Sequence, residues 1–151
     1  MGSKLSFGLV LILSLAFVGG CGGGPLGVMP GGKLSGKAAP VPANWDAAGE
    51  YGFMQIETLP ADPYSVNIAY TVVDGILYAN AGDTETQWVQ NMEADPQIVI
   101  RLDGVIYPLR AERVTSAAEI ARFGAVWASQ NSFHRDPAGL DQAWVYRLVP
   151  R

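Results

Sequence analysis

The sequence predicts a mainly β domain with two short helices, folded as a small closed or half-closed barrel of six mostly antiparallel strands. Three observations support this fold class. A nine-residue stretch alternates apolar and polar side chains, Asp-Gly pairs separate apolar runs at two places, and two Ser/Thr-initiated stretches have helical spacing. The resulting order β-β-β-α-β-β-α-β, with short strands joined by tight turns, is typical of small barrels.

The first three strands are predicted at 51–59, 65–73 and 76–80. The first ends at Pro60. In the second, alternate positions are apolar, which is the period of a half-buried strand; these positions are Val66, Ile68, Tyr70 and Val72. Asp74-Gly75 then predicts a two-residue hairpin, because both residues tolerate positive φ.

A helix is predicted at 84–94. Thr84 and Gln87 have the spacing of a capping box, Trp88 and Met92 lie four residues apart on one face, and Asp95-Pro96 ends the helix.

The second half of the domain repeats the same kinds of signal. Strands are predicted at 97–102 and 105–114 around Asp103-Gly104, and Pro108 indicates an edge strand or a bulge. Ser116 and Glu119 form a second capping box that begins a helix running to about residue 129. A last strand is predicted at 143–149. Five residues are expected in the core: Trp88, Ile98, Ile100, Phe123 and Trp127.

The N-terminus has the features of a secretory signal. Lys4 precedes an apolar run at 5–18, and Gly19-Gly20 precedes Cys21, the only cysteine. A lone cysteine after small residues resembles the lipobox of bacterial lipoproteins. The resemblance implies cleavage before Cys21, lipidation of its thiol, and a place in the cell envelope, at the outer membrane in a didermic host. An ordinary signal peptide and an uncleaved anchor are the alternatives.

The predicted organisation therefore has three parts: a signal peptide at 1–20, a lipidated Cys21 with a flexible tether to residue 43, and the barrel domain at 44–151. Residues 22–43 are rich in Gly, Pro, Ala and Ser and offer little apolar surface to bury.

The charge distribution excludes several function classes. From residue 44 onward there are seven arginines, no lysine and fourteen acids, a net charge of −7. Such a surface repels phosphate backbones, so nucleic acid is not an expected partner. A single histidine, His134, excludes a multi-histidine metal site, and acylation of Cys21 would exclude thiolate chemistry. His134 itself is either a general base or an exposed loop residue.

One stretch carries a second resemblance. The segment Gln87-Trp88-Val89-Gln90-Asn91-Met92-Glu93-Ala94-Asp95-Pro96, followed by Gln97-Ile98-Val99-Ile100, resembles the W-x-x-N-L-x-A-N-P-x-V segment of FMN-binding split barrels. These form the pyridoxamine-phosphate-oxidase-like superfamily, and the likeness is to its deazaflavin-dependent nitroreductase branch. The resemblance implies a six-stranded antiparallel split β-barrel, a homodimer, and FMN or deazaflavin (F420) as cofactor.

The resemblance also implies site residues. Trp88 and Asn91 would lie beside the cofactor, and the loop with Asn80 and Gly82 would approach its tail. The basic loop residues typical of the deazaflavin branch have no counterpart at 59–64 or 80–83. Arg101 or Arg110 would then have to supply the fixed positive charge.

Each of these residues also has a structural alternative. Trp88 is also consistent with a core position, the more frequent role for such a residue, Asn91 with helix C-terminal bonding, and Arg101 with a solvent-facing cross-strand pair.

Two functions remain open at this stage, and no catalytic residue or metal ligand is identified. The first is an oxidoreductase in which a flavin or deazaflavin does the hydride chemistry. The second is a non-catalytic, lipid-anchored barrel that binds another small molecule or serves as a scaffold. A hydrolase is a third class, but no Ser-His-Asp or metal constellation supports it.

Overall fold

A computed structural model describes residues 23–130 and 142–151. Cys21 and His134 lie outside these ranges. The described chain contains seven strands, two α-helices and a short 3-10 helix at Asp46–Ala48: β1 Lys37–Ala38, β2 Tyr51–Thr58, β3 Tyr64–Val73, β4 Ile76–Ala81, α1 Gln87–Ala94, β5 Gln97–Leu102, β6 Val105–Arg113, α2 Ala117–Ser129 and β7 Trp144–Pro150.

Six antiparallel strands close into a barrel, as predicted. Their order is β6-β5-β2-β3-β4-β7, and pairing of β6 with β7 completes the ring. The two Asp-Gly turns are also confirmed, because Asp74 and Gly75 have φ of 50° and 76°, and Asp103 and Gly104 have 50° and 78°. In this ring β4 and β5 lie three strands apart in either direction, so their residues are on opposite walls of the barrel.

The barrel interior holds the main core. Tyr70 and Val72 belong to it, together with Ile56, Leu109 and the inward side of α1, and the partly buried Val66 and Ile68 pack against it. Trp88, Ile98 and Ile100 are buried there as predicted. A second cluster lies between α2 and the outside of the barrel around Phe123, which is 1% exposed, and Trp127 packs at its edge only partly buried.

The two predicted capping boxes have different outcomes. Ser116 Oγ accepts a hydrogen bond from the Glu119 amide at 3.4 Å, which confirms the second box. The first is wrong, because α1 begins at Gln87 behind Thr86, with no side-chain cap. Thr84 is held in the preceding turn, where its carbonyl accepts from Gln90 Nε2 at 2.8 Å.

The prediction of a flexible tether is wrong for the described part of the N-terminal segment. Leu34 is buried, and its amide donates to the Glu57 carboxylate at 2.5 Å. Gly31 exchanges two backbone hydrogen bonds of 2.8 Å with Ser65, and β1 pairs in parallel with β6. Glycine-rich composition concealed this docking because the segment is held mainly by backbone groups rather than by apolar side chains.

Pro108 lies where β6 changes neighbours. β1 pairs with Val105 and Ile106, and β7 pairs from Leu109 onward. A residue without an N–H is tolerated in such a gap.

No helix in the described part of the chain is long and apolar enough to cross a membrane.

Candidate functional site

A cleft at the start of α1 is the best candidate for a ligand site. Its volume is about 310 Å³, within the range of small-molecule sites. It combines aromatic, apolar and amide or hydroxyl side chains, and we call it the Trp88 cleft. Its lining residues are Val28, Met29, Pro30, Tyr64, Val66, Asn67, Ile68, Thr86, Gln87 and Trp88.

Trp88 is both a core residue and a cleft residue. It is 9% exposed, and Val89 and Met92 on the same helix are buried in the barrel core. This burial holds the indole in place, while its accessible edge faces the cleft. Trp88 is therefore a core residue that also lines the cleft.

Asn91 fastens α1 to the barrel. Its Oδ1 accepts from Gln87 Nε2 at 2.7 Å, and its Nδ2 donates to Thr58 Oγ1 at 3.0 Å. Thr58 Oγ1 in turn donates to the Tyr64 carbonyl at 3.1 Å. The chain of bonds places Gln87 and Tyr64 on either side of the cleft, so Asn91 positions the cleft walls and does not line the cleft.

Asn80 and Gly82 do not line the Trp88 cleft. Asn80 is partly buried on β4 opposite Val145 of β7. Gly82 is exposed, and a Cβ added to it would meet nothing within 4 Å. The turn that follows is closed by Asp83, whose carboxylate accepts from the Glu85 amide at 2.9 Å.

Arg101 lies on the opposite side of the barrel from Asn80. Its Nη1 donates to the Ser35 carbonyl at 2.9 Å. With Gln55 and Asn67 it forms a row across β5, β2 and β3. A second cleft of about 280 Å³ opens here, and we call it the Phe53 cleft; its lining residues are Phe53, Met54, Gln55, Asn67, Arg101, Asp103 and Gly104.

Arg110 lies in neither cleft. It is half exposed and forms an ion pair with Glu112 on its own strand. Asn80 and Arg101 therefore do not meet in one groove, because ring closure puts β4 and β5 on opposite walls. Of the six cofactor-binding residues that the sequence indicated, Trp88 alone lines the Trp88 cleft.

Sequence reasoning missed the other walls of the Trp88 cleft. Met29 comes from the segment that was expected to be a tether, and Tyr64, the first residue of β3, precedes the predicted strand and carries no motif. Gln87 had appeared as a capping residue and as the first residue of the family-like segment, without a role in the site. These residues meet through tertiary packing. The periodic patterns of single helices and strands do not predict which residues of different elements come into contact.

One cluster of ionisable groups lies away from both clefts. Tyr78 donates to Glu119 at 2.8 Å, and Arg147 bonds Glu119 and Glu112. Burial, and then the hydrogen bond to Glu119, raises the pKa of Tyr78 to about 12. Within residues 23–130 and 142–151, no three His, Cys, Asp or Glu side chains gather as a metal site would require.

Comparison with solved structures identifies the class of fold. HutZ, the heme storage protein of Vibrio cholerae, superposes with a TM-score of 0.55 at 16% identity, over 70% of this chain and 86% of that one. A candidate pyridoxamine 5'-phosphate oxidase from Listeria innocua gives 0.50 at 15% identity, over 66% and 83%. The chain is also similar to an Agrobacterium tumefaciens protein of unknown function, with a TM-score of 0.53 at 21% identity, over 64% of this chain.

The chain spans about half, 47%, of that Agrobacterium protein's length. No protein-family model matches the chain, and no curated protein matches it. The fold is therefore a six-stranded antiparallel split β-barrel, similar to that of the Listeria protein.

Proposed function

We propose that this chain is an envelope lipoprotein whose split barrel binds a flavin-type heteroaromatic ring in the Trp88 cleft. The lining of that cleft is the observation that supports binding of the ring. Trp88 and Tyr64 offer aromatic surface, Val66 and Ile68 offer apolar surface, and Gln87 offers a polar group near the mouth. A few polar groups in a mainly apolar cleft are typical of sites for planar ligands.

The ring fits this cleft better than a phosphate does. No lysine or arginine occurs among the residues that line it, while Arg101 and Arg110 are engaged elsewhere. A charge-assisted hydrogen bond to a phosphate contributes about 1.5–3 kcal/mol. The proposed ligand is therefore recognised by its ring, with no fixed cation for a phosphate or polyglutamate tail.

A bound flavin or deazaflavin would supply hydride-transfer chemistry, which makes an oxidoreductase the proposed class of activity. The chain's own contribution is to bind and orient the ring. Trp88 gives a rigid wall because it is anchored in the core, and Asn91 holds Gln87 at the rim.

Titration with riboflavin and with FMN tests this proposal. We expect measurable binding of both, with dissociation constants within about threefold of one another, since a phosphate anchor would make FMN roughly tenfold or more tighter. Thr86→Trp fills the cleft mouth and should weaken riboflavin by at least about tenfold. Thr115→Trp, at an exposed position before α2, is the matched control. No binding of either flavin by the wild type would contradict the proposal.

A second candidate is a non-redox, lipid-anchored binding module. It is favoured by the engagement of Arg101 and Arg110 with the protein's own groups, and by the net charge of −7 beyond residue 43. Protein purified from the envelope with no visible flavin absorption, and no gain of any on adding riboflavin or FMN, would support this candidate over the first.

The proposed anchor is Cys21. Acyl chains contribute about 0.8 kcal/mol per buried CH₂, so two or more chains anchor a protein stably. Cys21→Ser should leave the protein soluble or unprocessed in a cell fractionation. A Cys21→Ser protein that is still processed and still sediments with membranes would contradict the lipoprotein assignment.

A further inference from the structure

The largest exposed apolar side chains occur together on one side of the described chain. Within residues 23–130 and 142–151 the exposed large apolar residues are Leu26, Val28, Met29, Tyr51 and Phe53. Val28 is fully exposed, and Phe53 is 79% exposed. A group of exposed apolar side chains on one face of a protein marks contact with a protein or a membrane.

Three of these residues form the tip of a small hairpin. Leu26 and Met29 exchange two backbone hydrogen bonds of 3.0 Å, and Gly27 has the positive φ, 59°, that the turn requires. The Gly27 carbonyl accepts from Asn67 Nδ2 at 2.7 Å. Most backbone polar groups of the tip are therefore paired, which lowers the cost of moving it into a less polar medium.

Phe53 lies on the same side as the hairpin. Gln55 Nε2 donates to the Pro25 carbonyl at 3.4 Å, at the base of the hairpin. Phe53 comes two residues before Gln55 on β2 and so faces the same way. Asn67, which holds the tip, is the cross-strand partner of Gln55. The hairpin and Phe53 thus lie on one outer face of the barrel, which we call the hairpin face.

We propose that the hairpin face docks onto the lipid bilayer surface, with Leu26, Val28 and Met29 inserted at the level of the headgroups. Charge favours lipid as the occupant. Lys33 and Lys37, the only lysines after residue 4, are exposed on the same N-terminal segment, whereas the chain beyond residue 43 carries a net charge of −7. Cations near a membrane containing anionic lipids contribute about 1 kcal/mol each.

Chain length supports the same occupant. Leu26 lies five residues after Cys21, so an extended chain spans at most about 18 Å between them. If Cys21 carries the lipid, as the proposed function states, the hairpin tip is held within reach of the bilayer. Docking would then fix the orientation of the barrel on the membrane.

The test uses the chain from residue 21 onward with Cys21→Ser, so that no acyl chain contributes. Binding is measured by co-sedimentation with vesicles of equal parts phosphatidylglycerol and phosphatidylcholine, and with phosphatidylcholine alone. We expect binding to the anionic vesicles that is stronger than to the neutral ones. Val28→Asp should lower the partition coefficient about tenfold, because it replaces a fully exposed apolar side chain by a charge.

Ala118→Asp is the charge-matched control. It places the same carboxylate at an exposed position in the first turn of α2 and should leave binding within about twofold. Because Val28 makes no buried contact, Val28→Asp should melt like the wild type, which separates loss of docking from loss of folding.

Two results would overturn the docking proposal. One is equal vesicle binding, or none, by wild type and Val28→Asp at millimolar lipid. The other is a dimer in sedimentation that Val28→Asp converts to a monomer, which would make the hairpin face an interface between copies. Mass spectrometry of the natural protein decides acylation of Cys21 separately, so either proposal can fail alone.

Discussion

Gly31→Ala is expected to detach the N-terminal segment from the barrel. A Cβ at residue 31 would lie 2.5 Å from the Gly23 carbonyl oxygen and 2.6 Å from the Pro25 nitrogen, and it would also clash with the Gly24 carbonyl carbon. These are backbone atoms, so no side-chain rotation relieves the contact. The segment must move, and the hydrogen bonds between Gly31 and Ser65 are then weakened.

The expected loss is about 2–4 kcal/mol of unfolding free energy. Overpacking costs about 1–3 kcal/mol, and each hydrogen bond lost costs about 1 kcal/mol. Gly32→Ala is the matched control in the next position. Its added Cβ would meet only the Pro63 carbonyl oxygen, at 3.8 Å, so its stability should stay within about 0.5–1 kcal/mol of wild type.

Two measurements check this prediction. Urea denaturation gives the change in unfolding free energy, and limited trypsin digestion reports detachment through cleavage after Lys33 and Lys37. Gly31→Ala should be cut in the segment much faster than Gly32→Ala or wild type. Equal stability and equal cleavage rates for the two alanine variants would refute the docked segment.

Three further predictions concern the barrel. Stability should fall as the pH rises from 10 towards 12, because the unfolded chain loses the Tyr78 proton near pH 10 while the folded protein retains it; alkaline melts of Tyr78→Phe should show a shallower fall. Phe123→Ala should cost about 3–5 kcal/mol in urea denaturation, and a cost below 1 would contradict the second core cluster. Gly75→Ala should destabilise more than Gly104→Ala, since both have positive φ but the Cβ of the first would also lie 2.9 Å from Asn44 Cβ; equal melting temperatures would contradict this.

The sequence predicted those parts of the fold that depend on local chemistry. The Asp-Gly turns, the alternation around Tyr70 and the Ser116 cap are each decided within a few residues, and the structure confirms them. The first cap failed for a local reason too, because Asp83 and Thr84 hold a turn that competes with the helix start.

The site was harder to predict because it depends on closure of the ring and on a segment of low complexity. Nothing in the strand pattern says that Arg101 and Asn80 end on opposite walls; that follows from the pairing of β6 with β7. Met29, Tyr64 and Trp88 line the same cleft. Met29 lies in a glycine-rich segment, which has no apolar periodicity from which its place beside the barrel could be predicted. Trp88 was found because it belongs to a recognisable stretch, whereas Met29 and Tyr64 do not.

The most direct test of the proposed function is the response of the tryptophan indole N–H signals to riboflavin in a ¹H–¹⁵N correlation spectrum. The chain has four tryptophans, so each signal can be assigned by one Trp→Phe variant. The Trp88 signal should shift progressively and saturate with ligand, since Trp88 lines the cleft. Trp45 lines a different cleft with Tyr107 and should stay unchanged. A Trp88 signal that does not move while riboflavin is present in excess, or a shift confined to Trp45, would contradict the assignment of the Trp88 cleft as the flavin site.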